Sequence, residues 1–205
     1  MASILDLLKT DVGEQLIQGA TTETGETKDN IVSVLSMALP TMLGAMNKNI
    51  QTEEGAKKLN HALEDTRHDG SILSQLGGIV GGGSVDNSLL SDGAGILSHL
   101  LGGKQTNVEN SISKTTGVSM SSVTKIIQMA APVLMGFLGN AKRKDGVSQS
   151  GLTDLIGAAM GESSSNMSII ESLLDADNDG SVIDDVAGKL LGDKAGGLLG
   201  GLFGK

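Results

Sequence analysis

Met37-Ala38-Leu39-Pro40-Thr41-Met42-Leu43-Gly44 occurs twice in this chain. It returns as Met129-Ala130-Ala131-Pro132-Val133-Leu134-Met135-Gly136, with Pro132 lying 92 residues after Pro40. The same offset carries residues 3–48 onto residues 95–140 without a gap. Ile4-Leu5 and Leu8 fall on Ile96-Leu97 and Leu100, and Thr24-Gly25 falls on Thr116-Gly117. Ile31, Val34 and Leu35 fall on Val123, Ile126 and Ile127. Few positions are identical, but apolar matches apolar along most of the run, which predicts an internal duplication.

Outward from the repeat, Ile31, Val34, Leu35 and Ala38 follow the i, i+3, i+4, i+7 pattern of a helix face. Pro40 either kinks this helix or begins the next, and Met42, Leu43 and Met46 continue the face beyond it. Short helices are predicted at residues 3–9 and 11–19, the second ending at Gly19, with a polar turn at 21–27. Residues 52–65 read as a helix carrying Ala56, Leu59 and Leu63. Asp69 is placed to cap a helix running through Leu76 to Val80. The Gly-Gly-Gly-Ser run at 81–84 marks a joint. Asp92-Gly93 would open the second unit by the same capping logic, followed by helical stretches at 96–101, 108–113 and 122–138, a turn at 115–119, and a helix at 151–160. Asp179-Gly180-Ser181-Val182-Ile183 matches Asp69-Gly70-Ser71-Ile72-Leu73 and leaves an insertion near 161–178, with a helix at 167–174. Period-two alternation is missing. The expected fold is all-α: two tandem homologous multihelical units, each an orthogonal helix array, at residues 1–84 and 90–188, and a Gly/Leu-rich tail at 189–205.

Composition narrows the function classes. No Cys is present, which removes disulfides, thiolate metal sites and thiol nucleophiles. Phe137 and Phe203 are the only aromatics, so the core must be Leu, Ile, Val, Met and Ala, packed closely with help from 30 Gly. A net charge of −9, with Lys142-Arg143-Lys144 as the one basic run, argues against nucleic acid as a partner. Asp6, Asp11 and Glu14 break up the N-terminus as a secretory signal, and no 18-residue apolar run is uninterrupted. The cytoplasm is the expected location.

One set of residues carries a family likeness. Asp92-Gly93, Ile96-Leu97, His99-Leu100-Leu101-Gly102, Lys104-Gln105, Val108-Glu109, Thr116-Gly117, Val123 and the run from Ala130 to Gly136 together resemble the bacterial YidB-like family, whose function is unknown. The likeness covers residues 90–140 well and 3–48 weakly. It implies a compact multihelical fold and brings no catalytic residues. The first unit departs from the pattern, with Leu7 where His99 stands and Gly13 where Gln105 stands. Any chemistry resting on His99 or Gln105 would belong to the second unit alone.

The sharpest chemical motif is Asp175-Ala176-Asp177-Asn178-Asp179-Gly180-Ser181-Val182-Ile183-Asp184-Asp185. Carboxylates at positions 1, 3 and 5 with Gly at 6 resemble the start of an EF-hand calcium loop, since alternate carboxylates can converge on one hard cation. The end departs: Ile183 takes position 9, and Val186 stands where a bidentate Glu belongs. Asp185, or Asp184, would have to substitute. The competing reading is a solvated acidic loop that caps the next helix, since Asp179 aligns with Asp69. Asp175, Asp177, Asp179 and Asp185 are therefore the candidate metal ligands, and calcium is the one candidate cofactor. His61, His68 and His99 include no i, i+4 pair, so zinc is not expected. His99 reads as half-buried among leucines, and His61 as a surface neighbour of Asp65. Ser residues lack a nucleophile elbow, and the Gly runs follow no predicted strand, so no enzyme is expected.

Two features remain. Met37, Met42, Met46, Met129 and Met135 offer a soft partner-binding surface or a core, and the scarcity of other large residues favours the core. In the tail, Leu198, Leu199, Leu202 and Phe203 form an apolar stripe at i, i+1, i+4, i+5 in a Gly-rich segment too poor in helix propensity to order alone. Its surface would be its own domain, a neighbouring subunit or a membrane, and the chain's acidity argues against the last. The expected function is a non-enzymatic, self-associating scaffold or interaction protein. A calcium-responsive module using residues 175–185 is the alternative.

Overall fold

A computed structural model describes residues 3–80 and 85–161. The joint at 81–84, the insertion, the acidic loop with Asp175, Asp177, Asp179 and Asp185, and the tail stripe of Leu198, Leu199, Leu202 and Phe203 lie outside the described residues. Among the described residues all regular structure is helical: α1 (Ile4–Leu7), α2 (Asp11–Thr24), α3 (Lys28–Asn49), α4 (Glu53–Glu64), α5 (Ser71–Val80), α6 (Asn87–Leu101), α7 (Gln105–Thr116), α8 (Met120–Lys144) and α9 (Leu152–Met160). Short 3₁₀ turns sit at Thr66–His68, Gly102–Lys104 and Gln149–Gly151.

Helix starts follow from side chains that satisfy the first free backbone N–H groups. Ser3, Thr10, Thr27, Thr52, Asp86 and Ser119 each accept such a bond at the head of α1, α2, α3, α4, α6 and α8. Asp69 does the same before α5, accepting from the Ser71 N–H at 2.7 Å.

Two expectations are corrected. Helix α2 does not stop at Gly19, which is buried inside it, but runs to Thr24 and closes on Gly25 at φ 73°. The chain turns where a left-handed residue is required, not at the first glycine. Asp92-Gly93 does not open the second unit either; both lie inside α6, whose cap is Asp86. Of the two readings left open at Pro40, the start of a new helix is excluded: α3 continues through Pro40, and α8 through Pro132.

Each proline lacks an N–H, so the carbonyl four residues earlier loses its donor. In α8 that carbonyl belongs to Gln128, and α6 packs on it through Gly93: a Cβ at Gly93 would stand 1.8 Å from the Gln128 oxygen. A bare carbonyl meets a bare Cα, the approach a weak Cα–H···O contact needs. Asp92 is thereby set on α6 one residue from this close approach.

Helices α3 and α8 form the centre. They pack on each other, α6, α2, α5, α7 and α9 surround them, and buried side chains from both sequence units make one contiguous core. Both are long and apolar enough to cross a membrane, at mean hydropathy 1.2 and 1.3, but 67% and 72% of those windows are buried inside the fold. Of the repeated methionines, Met42, Met46, Met129 and Met135 are buried, as a core role requires.

The local structure around residues 24–27 resembles that around residues 116–119. Thr24 Oγ1 donates to the Ala20 carbonyl at 2.6 Å and Thr116 Oγ1 to the Ile112 carbonyl at 2.8 Å. The next residues, Gly25 and Gly117, both take φ 73°. Thr27 and Ser119 then cap α3 and α8 alike. One substitution breaks the pattern: where α2 buries Ile17, α7 buries Glu109, whose carboxylate accepts from Gln105 Nε2 and Thr124 Oγ1, both at 2.8 Å.

Candidate functional site: a groove between α4 and α6

A groove of about 1120 Å³ lies between α4 and α6. One wall is the α4 face with Glu54, Lys58, His61 and Asp65, spaced four, three and four residues apart. The other is the α6 face with Ser88, Asp92, Gly95 and His99. Such spacings place each set on one side of a helix. Its floor is apolar, with Met46 from α3 and Met135 from α8 under Leu59, Ile96 and Leu100. Ser88 and Gly95 keep the α6 wall low, and nothing lies within 4 Å of where a Gly95 Cβ would be.

A polar network closes one end. Arg143 on α8 donates to three carbonyls that end α4 and the following turn: His68 at 3.0 Å, Asp65 at 3.0 Å and Glu64 at 3.2 Å. Gly139, one helical turn earlier, makes room for that turn; its Cβ would stand 1.9 Å from the His68 oxygen. Arg67 donates to Asp65 through Nη2 at 2.9 Å and reaches Asp92 Oδ1 through Nη1 at 3.4 Å, joining the two walls. The Arg67 side-chain bonds, reinforced by its backbone N–H, hold the Asp65 carboxyl far below the ordinary carboxylate range. In return the Asp65 bond raises the Arg67 guanidinium.

His68 is 4% exposed. Its Nδ1 lies 2.8 Å from the Ala62 carbonyl oxygen, which can only accept, so Nδ1 carries the hydrogen. Nε2 has no hydrogen-bond partner and faces Asp92 Oδ2 at 3.9 Å, beyond bonding distance. Arg143, the turn at 66–68 and the Arg67 bridge together form the end wall.

The three histidines, none of them at i, i+4 spacing, all line this groove. His99 is exposed rather than half-buried, because Gly95 and Ser91 beside it offer no cover; its Nδ1 bonds back to the Gly95 carbonyl at 2.8 Å. No group of three or more His, Asp or Glu among the described residues is arranged to hold a metal ion. Sequence reasoning missed Arg67, His68, Asp92 and Gly95 as members of one site. The available signal was the run Ser88, Asp92, Gly95, His99 at i, i+4, i+7, i+11, a low polar face on an otherwise apolar helix.

The molecule is therefore an all-helical protein with one shared core and an open groove between two of its helices. A family model described as a bacterial protein of unknown function (DUF937) matches residues 6–141, and the chain belongs to that family. No curated protein and no solved structure matches it.

Proposed function

We propose that this chain is a non-enzymatic interaction protein that self-associates by taking an apolar helical segment into the groove between α4 and α6. One observation carries the reading: the groove has an apolar floor under polar walls, the arrangement that receives the apolar face of an amphipathic helix. Gly95 lets a partner backbone come close.

The reading includes the internal duplication and the two units at 1–84 and 90–188. Support comes from the matched Thr–Gly–cap turns and the matched prolines. Similar faces used head to tail give rings if they close and filaments if they do not. A cytoplasmic setting agrees with the lack of Cys. The YidB-like resemblance of residues 90–140 adds no chemistry.

Light scattering over a concentration range tests the proposal, with refractive-index detection because the chain has no Trp or Tyr. The mean mass of the wild type should rise with concentration. Gly95→Gln fills the groove, and should shift that rise at least about tenfold upward in concentration, roughly 1.4 kcal/mol of association free energy. A monomer at every concentration overturns the reading. The calcium alternative rests on the loop pattern of Asp175, Asp177 and Asp179, and titration calorimetry decides it. A heat with millimolar Ca²⁺ that disappears in Asp175→Ala/Asp177→Ala would support it; no heat removes it.

A further inference from the structure

We infer that the groove between α4 and α6 is the docking site of the chain's own C-terminal segment, with Leu198, Leu199, Leu202 and Phe203 on its floor. The inference rests on the groove being the association site and names its occupant.

Size comes first. At about 1120 Å³ the groove exceeds the roughly 300–1,000 Å³ of small-molecule pockets, and it runs along two helices. Its occupant is an elongated apolar segment. Elimination comes next. Among the described residues the exposed large apolar side chains are Val32 and Met120, one each at the start of α3 and of α8. Neither forms a ridge, so the described surface of a second copy has nothing to insert.

Beyond Gly161 the sequence does supply a ridge. Leu198, Leu199, Leu202 and Phe203 lie at i, i+1, i+4, i+5, and Gly196, Gly197, Gly200, Gly201 and Gly204 fill the positions around them. Glycine lets a backbone lie close in a narrow channel. From Ala195 to Gly204 the segment holds no charge, so seating it on an apolar floor desolvates none. A second stripe, Ile169, Ile170, Leu173 and Leu174, encloses Glu171 and is followed by Asp175, and it has no glycine. Reach is no obstacle: the 37 residues from Gly161 to Leu198 span up to about 120 Å when extended. Tethering favours closure within one chain, and the same contact exchanged between chains at high concentration gives the association.

The absence of Cys makes the test clean, because an introduced pair is the sole source of a disulfide. Full-length chains carry Gly201→Cys, which spares the apolar stripe, together with Ser91→Cys on the α6 wall. The control partner is Asp29→Cys in the first turn of α3, about 25 Å along that helix from Met46 on the groove floor. Brief oxidation at micromolar concentration should give an internal disulfide at Ser91→Cys in about tenfold excess over Asp29→Cys. Adding Leu199→Asp and Leu202→Asp should bring it down to the control level. Disulfide-linked dimers that grow with concentration at Ser91→Cys, and not at Asp29→Cys, are the same contact exchanged and support the inference. Equal yields at the two positions overturn it. So does an excess for a cysteine at Ser172, beside the other stripe, in place of that at Gly201. Association by light scattering without the Ser91 excess leaves the groove an association site with another occupant. A strong internal disulfide in a chain that stays monomeric keeps the occupant and removes self-association.

Discussion

At the scale of single residues, glycines do two opposite jobs beside the groove. Gly139 exists to let the His68 turn touch α8, and a methyl there meets a backbone oxygen that cannot swing away. Gly139→Ala should destabilise the fold by about 1–3 kcal/mol in urea denaturation. Gly95 has open space and an ordinary helical backbone, so Gly95→Gln should raise stability by about 0.5 kcal/mol even as it obstructs the groove. A stabilised chain that associates less well separates a binding role from a folding role. Asp65 sets a pH dependence. Its folded pKa lies below the ordinary 3.8 because Arg67 donates to it. A depressed carboxylate stabilises the fold above its unfolded pKa, and that contribution fades as pH falls below 3.8 and on through the folded value. Asp69, through Ser71, and Asp86, through Ser88, shift in the same direction. The wild type should lose stability progressively as pH falls below about 4, and Asp65→Asn should show a shallower loss when the two are denatured side by side.

At the scale of elements, helix ends are the points where sequence and structure agree or part. The spacing of Ile31, Val34, Leu35 and Ala38 is enough to read α3, because four buried residues repeat at helical period on one face. Gly19 was misread as a stop because a buried glycine inside a helix and a glycine that ends one look alike in sequence. Only the chain direction beyond it, fixed by α2 packing on α3, α5 and α8, tells them apart. The same holds for Asp92-Gly93, which imitates a cap and a turn but is a packing surface. Gly25 and Gly117 do end helices, at φ 73° each, where an L side chain is strained. Gly25→Ala and Gly117→Ala should each cost about 1–2 kcal/mol, by similar amounts, in thermal or chemical unfolding. A large difference between them would show that the two turns bear unequal load despite identical geometry.

At the scale of the whole molecule, the N-terminal and C-terminal halves of the described residues share one core. Leu43 from the first and Leu134 from the second are both fully buried in it. Ion pairs cross between the units as well, Lys125 to Glu23 at 2.7 Å and Lys142 to Glu64 at 2.9 Å, although partly exposed pairs of this kind contribute little. Leu43→Ala and Leu134→Ala should each cost about 2–5 kcal/mol. Each should lower the same cooperative transition, with amide exchange accelerating equally in α3 and α8. Exchange that rises only in the mutated half would mean two independently stable units.

Helicity and the apolar face of each long helix were determined by the sequence alone, because they depend on residues within a turn or two of one another. The groove was decided by tertiary structure. Its walls come from segments some thirty residues apart, its floor from α3 and α8, and its end wall from Arg143 reaching back to the carbonyls of Glu64, Asp65 and His68. No local pattern encodes such a meeting. It follows from two glycines, Gly93 and Gly139, that let α6 and the His68 turn come down onto the same helix, and from the closeness that only a missing side chain permits.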